Sequence, residues 1–354
     1  MQLSRTFSMM FITALTALPL AGDDKPAVSR KSANDKLLAK PDSFKTLVNP
    51  QCSHCVDEAK RRAGELKDDD RVLAWIRGYS QGGGIPVRFF LVPYRVISDT
   101  YGVFVYDAEA GYMRGFEPSL DFDFYGWRNG VMVMRHKDGT LYSCLSGRAF
   151  DGPRKGHQLK PVPTVETDWG WWLRAYPGAV AYHMFEKYQP VELPKSDSAD
   201  SLNTRGPVDP RLPPNTPVIG IHAGGQSRAY PIAALERSSG LITGTTLGRM
   251  KVAVLWYAPT RTAAIYETQI EADGTNPAVQ LKVDESVPDA PFLDQASGSH
   301  FDIVGRAVDG PLKGRTLRWL PGVQCRWFAW SAEYPDTEVM LNGSIRTKAA
   351  APAN

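Results

Sequence analysis

Cys52-Ser53-His54-Cys55 is the sharpest chemical feature of this 354-residue chain. Two thiols at that spacing close a short disulfide or offer two ligands to a soft metal. His54 lies between the cysteines, which excludes a haem attachment site, where the histidine follows the second cysteine. A closed zinc site would need a second ligand pair, and the remaining cysteines, Cys144 and Cys325, stand singly. The helix-forming stretch 56–66 places the pair near a helix N-terminus, where a thiol pKa falls. A structural disulfide in an oxidising compartment is the plainer use of the pair, and redox or metal use of Cys52, Cys55 and His54 is the alternative. No cofactor is expected apart from a metal held by Cys52 and Cys55.

Two further groups of polar residues invite a chemical reading. Asp107 and Glu109 lie in Tyr-Asp-Ala-Glu-Ala-Gly, where paired carboxylates could bind a cation or serve as acid and base. An acidic hairpin turn is the blander reading. Arg148, Asp151 and Lys155 lie in a glycine-rich segment, and Arg306, Asp309 and Lys313 lie in a second segment like it. No Gly-Lys there is followed by Ser or Thr, so neither is a phosphate loop. They read either as a polar site present twice or as an ion pair that fixes a turn. The six histidines show no metal-ligand spacing, and no nucleophile elbow, HExxH or dinucleotide fingerprint occurs. The balance leans away from an enzyme.

Strands and turns must position these residues. Glycine (31) and proline (27) make about 16% of the chain, above the usual ~12%, which favours a turn-rich β fold over a helical bundle. Apolar alternation from Arg71 onward predicts hairpins. One is expected around Gln81-Gly82-Gly83-Gly84, one through GVFVYDAEAGYMRGF, and one around Lys137-Asp138-Gly139. Two more are expected around Ala223-Gly224-Gly225 and around Pro259-Thr260. Trp169, Trp172, Leu173 and Tyr176 fall on one face of a short helix, with Thr167 or Asp168 available as a cap and Pro177 after its end.

Residues 147–177 and 305–335 align without a gap at a constant offset of 158, and fifteen of 31 positions are identical. A repeat of that strength sets the architecture. Upstream hairpins correspond more loosely, with Tyr106 set against Tyr257. The expected fold is therefore mainly β with short helices (a β-rich α+β chain), two tandem repeats of one hairpin-plus-helix unit. Each helix is expected to plug the apolar face of its unit. The expected divisions are a signal peptide at 1–22, a polar lead-in at 23–70, a first unit at 71–188, a proline-rich linker at 189–217, a second unit at 218–340 and a tail at 341–354.

Arg5 followed by an apolar run from Phe7 to Ala21 reads as an export signal, giving a periplasmic or extracellular protein, cleaved or anchored by its uncleaved signal. No later run approaches the ~20 apolar residues of a bilayer span. The net charge of +3 and the absence of a basic cluster argue against nucleic acid as a partner.

Ala229-Tyr230-Pro231, the block GRAVDGPLKGRTLRWLP and the ending WFAWSAEYPDTEV resemble the bacterial and archaeal family known as domain of unknown function 3179. The resemblance covers roughly residues 72–340. It implies an exported or membrane-associated β-rich protein with no established activity. The family's Tyr-Cys-Pro-Leu-Cys-Gly segment, in which some members carry selenocysteine, implies thiol or selenol redox chemistry or metal binding. Here the matching segment runs from Tyr106 to Gly111 and lacks both cysteines, as does Tyr257–Thr262. The leading expectation is a non-catalytic protein that binds an unknown small molecule or protein, with Asp107, Glu109, Arg148, Asp151, Arg306 and Asp309 as ligand-binding candidates. A cleft between the units is the expected place for the ligand. The alternative is thiol redox or metal handling by Cys52 and Cys55.

Overall fold

A computed structural model describes residues 35–50, 66–77, 81–87, 90, 94–182, 199–270, 278–341 and 343–347. The signal, Cys52, His54, Cys55 and the expected helix at 56–66 (apart from Leu66) lie outside the described residues. Strands account for 46% and helices for 13%, so the chain is mainly β with short helices.

Two sheets share one strand order. In the first, Thr164–Asp168, Arg71–Arg77, Gln81–Pro86 and Val180–Ala181 lie side by side, with only the last pair parallel. In the second, Val323–Arg326, Pro217–Ala223, Gln226–Pro231 and Glu338–Leu341 repeat that order, with Gln226–Pro231 and Glu338–Leu341 parallel and a fifth strand, Ser344–Arg346, added antiparallel at the edge. Each is accompanied by a hairpin sheet. Val103–Asp107 and Tyr112–Phe116 form one hairpin, flanked by Tyr94–Ser98 and Lys45–Val48. Met250–Tyr257 and Thr262–Glu267 form the other, between Leu241–Leu247 and Arg318–Leu320.

The glycines at 82–84 correct one expectation. They lie within the strand Gln81–Pro86 and do not form the turn. A Cβ on Gly83 would come within 2.3 Å of the Trp75 ring, and one on Gly84 within 3.3 Å of Trp169. These glycines make room for indoles on the sheet face. Gly220 does the same for Trp330 in the second sheet.

The glycine-rich segments have matching backbones. Gly147 and Gly305 sit at φ 73° and 75°, in the left-handed region that L residues avoid. A Cβ at either would strike a ring, Phe116 or Tyr266 respectively. Each segment leads to a short helix, Trp169–Ala175 or Trp327–Glu333. Neither helix has a side-chain cap, so Thr167 and Asp168 do not serve as expected. The first two N–H groups donate to backbone carbonyls of the chain that enters the same sheet. Trp169 and Gly170 donate to Asp70 and Asp68, and Trp327 and Phe328 donate to Thr216 and Pro214.

Those carbonyls explain why the proline-rich segment is no free spacer over its described residues. Prolines remove donors but leave acceptors, and 199–217 uses them: Asp209 O accepts from Trp327 Nε1 at 2.8 Å. Ala199–Thr204 is a helix whose Ser201 and Thr204 hydroxyls bond the backbone of Gly130.

The helices also correct the idea of a plug on each unit's own face alone. Trp169, Trp171 and Trp172 share a core with Ala253, Leu255, Tyr257 and Tyr266 of the second half. Trp327, Phe328 and Trp330 share one with Val96, Val105, Trp127 and Tyr142 of the first. Each helix lies between its own sheet and the other half's strands.

Candidate functional site

Asp107 ends one strand and pairs with Tyr112. The four residues between them close with Gly111 at φ 67°. Tyr257 pairs with Thr262 in the same way, and Arg261 at φ 50° takes the place of Gly111. The turns therefore correspond at an offset of 150, setting Asp107 against Tyr257, one residue away from the match read in the sequence.

The Asp107 turn is not an exposed acidic hairpin. Asp107 is 0% exposed and Glu109 is 2% exposed. Asp107 Oδ1 accepts from Ala110 N and Oδ2 from Met132 N, each at 3.0 Å. Burial raises the Asp107 carboxyl, and those two N–H groups oppose the rise. Glu109 is pushed up to about 7, first by burial and then by the charge of Asp107. Arg95, fully buried on the neighbouring strand, lies 4.2 Å above the Phe44 ring and acts electrostatically on both carboxyls. Arg95 was not expected here, because an arginine between Tyr94 and Val96 in an alternating strand reads as outward-facing.

The duplicated polar residues go elsewhere. Arg306 bonds Asp302 at 3.2 Å and the Ala175 carbonyl at 3.0 Å, and its guanidinium lies 4.8 Å above the Tyr176 ring. Asp302 is buried, which pushes its carboxyl up to about 6 against the pull of Arg306. Arg148 acts in turn on Tyr334, just past the other tryptophan helix. Asp309 accepts from the backbone and ring of His300 at 2.6 and 2.8 Å, and Asp151 is exposed. Arg306 thus ties the second half to the helix end of the first, and the six candidates do not converge on one site.

The two halves do meet at a groove of about 460 Å³. Gly111 and Glu166 line it from the first half, and Asn215, Ile232, Gln324 and Arg326 from the second. A chamber of about 20 Å³ adjoins it between Arg114, Thr164, Glu166 and Gln324, room for about one water molecule. Burial raises the Glu166 carboxyl while Arg71, 3.6 Å away, opposes the shift. Asp168, next to Glu166 in sequence but one, is held by Arg71 at 2.9 Å and Arg261 at 3.2 Å. The Arg326 side chain passes over Gly111, and its N–H donates to Ala110 O at 2.8 Å. The groove wall is thereby joined to the Asp107 turn. Glu166 and Gln324 occupy matching positions in the aligned segments, a signal available in the sequence but hidden among residues read as strand.

The family described as Protein of unknown function (DUF3179) matches residues 90–337, more than half of the chain. The chain belongs to this family. No curated protein and no solved structure matches it. The carboxylate of Asp107 closes the turn at 107–112. Cys144 and Cys325 are buried free thiols, and burial raises both pKa values, which disfavours the reactive thiolate. Among the described residues no group of three or more His, Cys, Asp or Glu could hold a metal, and no helix is long and apolar enough to cross a membrane.

Proposed function

We propose that this DUF3179 member is an exported, non-catalytic binding protein that takes a small polar molecule, or a polar group of a protein partner, in the groove between its halves. The observation that carries the reading is the groove itself. Glu166 and Arg326 both line it, at a junction of two similarly ordered sheets, where pockets tend to form. The halves are read as descendants of one duplicated unit, supported by their common sheet order and matching glycine bends. Export is supported by the apolar run from Phe7 to Ala21, and cell fractionation of the tagged protein tests it.

A thermal-shift screen of the purified protein against amino acids, dicarboxylates and sugars tests the groove. At least one compound is expected to raise the melting temperature, with the shift lost in Glu166→Gln and Arg326→Gln. A hit indifferent to both substitutions places the ligand elsewhere, and a screen with no hit rejects these small-molecule classes.

A second reading rests on the spacing of Cys52, His54 and Cys55 and makes the protein a thiol redox or metal-handling factor. Thiol counts with and without reductant, together with metal analysis, distinguish it. A permanently oxidised, metal-free pair ends it.

A further inference from the structure

The interior beside the Asp107 turn holds charges that the binding reading leaves unused. Arg95 Nη1 donates to the carbonyls of Phe90 and Tyr94 at 2.8 and 2.9 Å. Its Nε and Nη2 have no hydrogen-bond partner among the described residues. Those two donors form the edge of a guanidinium that grips a carboxylate in a bidentate manner. Among the described residues Glu109 Oε2 is likewise buried without a partner, while the Glu109 carboxyl is hydrogen-bonded to that of Asp107. Asp107 differs, because backbone N–H groups engage both of its oxygens.

Counting charge decides which group carries a proton. Arg95 and ionised Asp107 sum to zero, and an ionised Glu109 would leave one uncompensated negative charge away from water. The other groups around the turn offer no relief. Tyr106 on the same strand and Tyr112 on the next have raised pKa values and stay neutral. So do the Cys144 and Cys325 thiols, which lie within electrostatic range of Asp107. Glu333 and Glu166 add negative potential at Tyr112 and Tyr106. Arg114, the other buried cation nearby, donates to Leu145 O at 2.7 Å and lies over the Phe116 ring.

We propose that Glu109 and Arg95 form an interior proton-binding latch, in which protonated Glu109 stays apart from Arg95 and the ionised carboxylate closes onto the Nε–Nη2 edge. The proton leaves to water, and no other bond changes. Movement of this turn reaches the second half through the Ala110 carbonyl, which accepts from Arg326 N. The inference stands whether or not the groove binds a ligand.

Carboxyl NMR on full-length protein carrying ¹³C-glutamate and ¹⁵N-arginine tests it between about pH 4 and 9. Glu109 is expected to titrate above the ordinary range, at about 7, as a signal distinct from Glu166, whose carboxyl burial also raises, with the Arg95 Nε resonance moving at the Glu109 midpoint. Both signals should vanish in Glu109→Gln. Urea unfolding supplies a second readout. A raised folded pKa contributes stability that is complete below the unfolded value near 4.5 and is lost as pH rises to the folded midpoint. Asp302 and Glu166 also contribute a loss of stability in that window in both proteins, so wild type should lose more than Glu109→Gln, by a linkage difference approaching one proton. If Glu109 titrates at its ordinary value, or if Arg95 Nε is silent at the Glu109 midpoint, the latch is overturned. The wild-type spectra decide this even if the variant does not fold.

Discussion

Asp107 shows how one side chain can have a structural task at a position that invites a chemical one. Its two oxygens close the turn and tie it to Met132. Replacing it by Ala leaves two buried N–H groups without acceptors, each costing roughly 1–3 kcal/mol. Asp107→Ala is therefore expected to lower unfolding stability by about 2–4 kcal/mol, measured by urea denaturation. A change below about 0.5 kcal/mol would remove the carboxylate from this role. The acidic character of this turn was legible in the sequence, but its burial was not. A Tyr-Asp-Ala-Glu-Ala-Gly string carries no mark of the strand from the other half that packs beside it.

At the scale of elements, the two tryptophan helices carry much of the packing. Trp169, Trp172, Trp327 and Trp330 are at most 1% exposed. Trp330 presses on Gly220, meets Tyr334 at 4.3 Å between ring centroids, and donates from Nε1 to Thr337. Trp330→Ala is expected to destabilise by about 3–5 kcal/mol, read as a shift of the denaturation midpoint at unchanged slope. These helices were legible because their aromatic residues recur at helical spacing and a proline follows each. Their caps were not, since Asp68, Asp70, Pro214 and Thr216 act through backbone carbonyls that any residue possesses. The glycines at 82–84 misled for a related reason: a run of three glycines signals a turn locally, whereas here it admits Trp75 and Trp169 against the sheet.

For the molecule as a whole, the exchange of helices makes each half part of the other's core. A fragment covering residues 66–182, or one covering 199–347, would expose the tryptophan-rich cores now shared between them. Each fragment alone is expected to lack a cooperative thermal transition by circular dichroism, and mixing the two should restore one. A fragment that melts cooperatively alone would show that the shared cores are dispensable. The arginines of the glycine-rich segments belong to the same exchange, since Arg306 reaches the helix end at Ala175 and Arg148 acts on Tyr334.

The sequence by itself determined the β class, most of the hairpins, the two helices and the correspondence of residues 147–177 with 305–335, because alternation, turn residues and repetition are local properties of a chain. A cleft between the units was an expectation from general grounds, and a groove lies at their junction. Only the tertiary structure decided which residues line that groove, that Arg95 and Glu109 are buried together, and that each helix serves both halves. The groove and the shared helices depend on contacts between segments more than 100 residues apart, as between Asp209 and Trp327 or Ala175 and Arg306, and Arg95 is buried under residues as far away as Phe44. No local pattern encodes which distant surface a residue will meet.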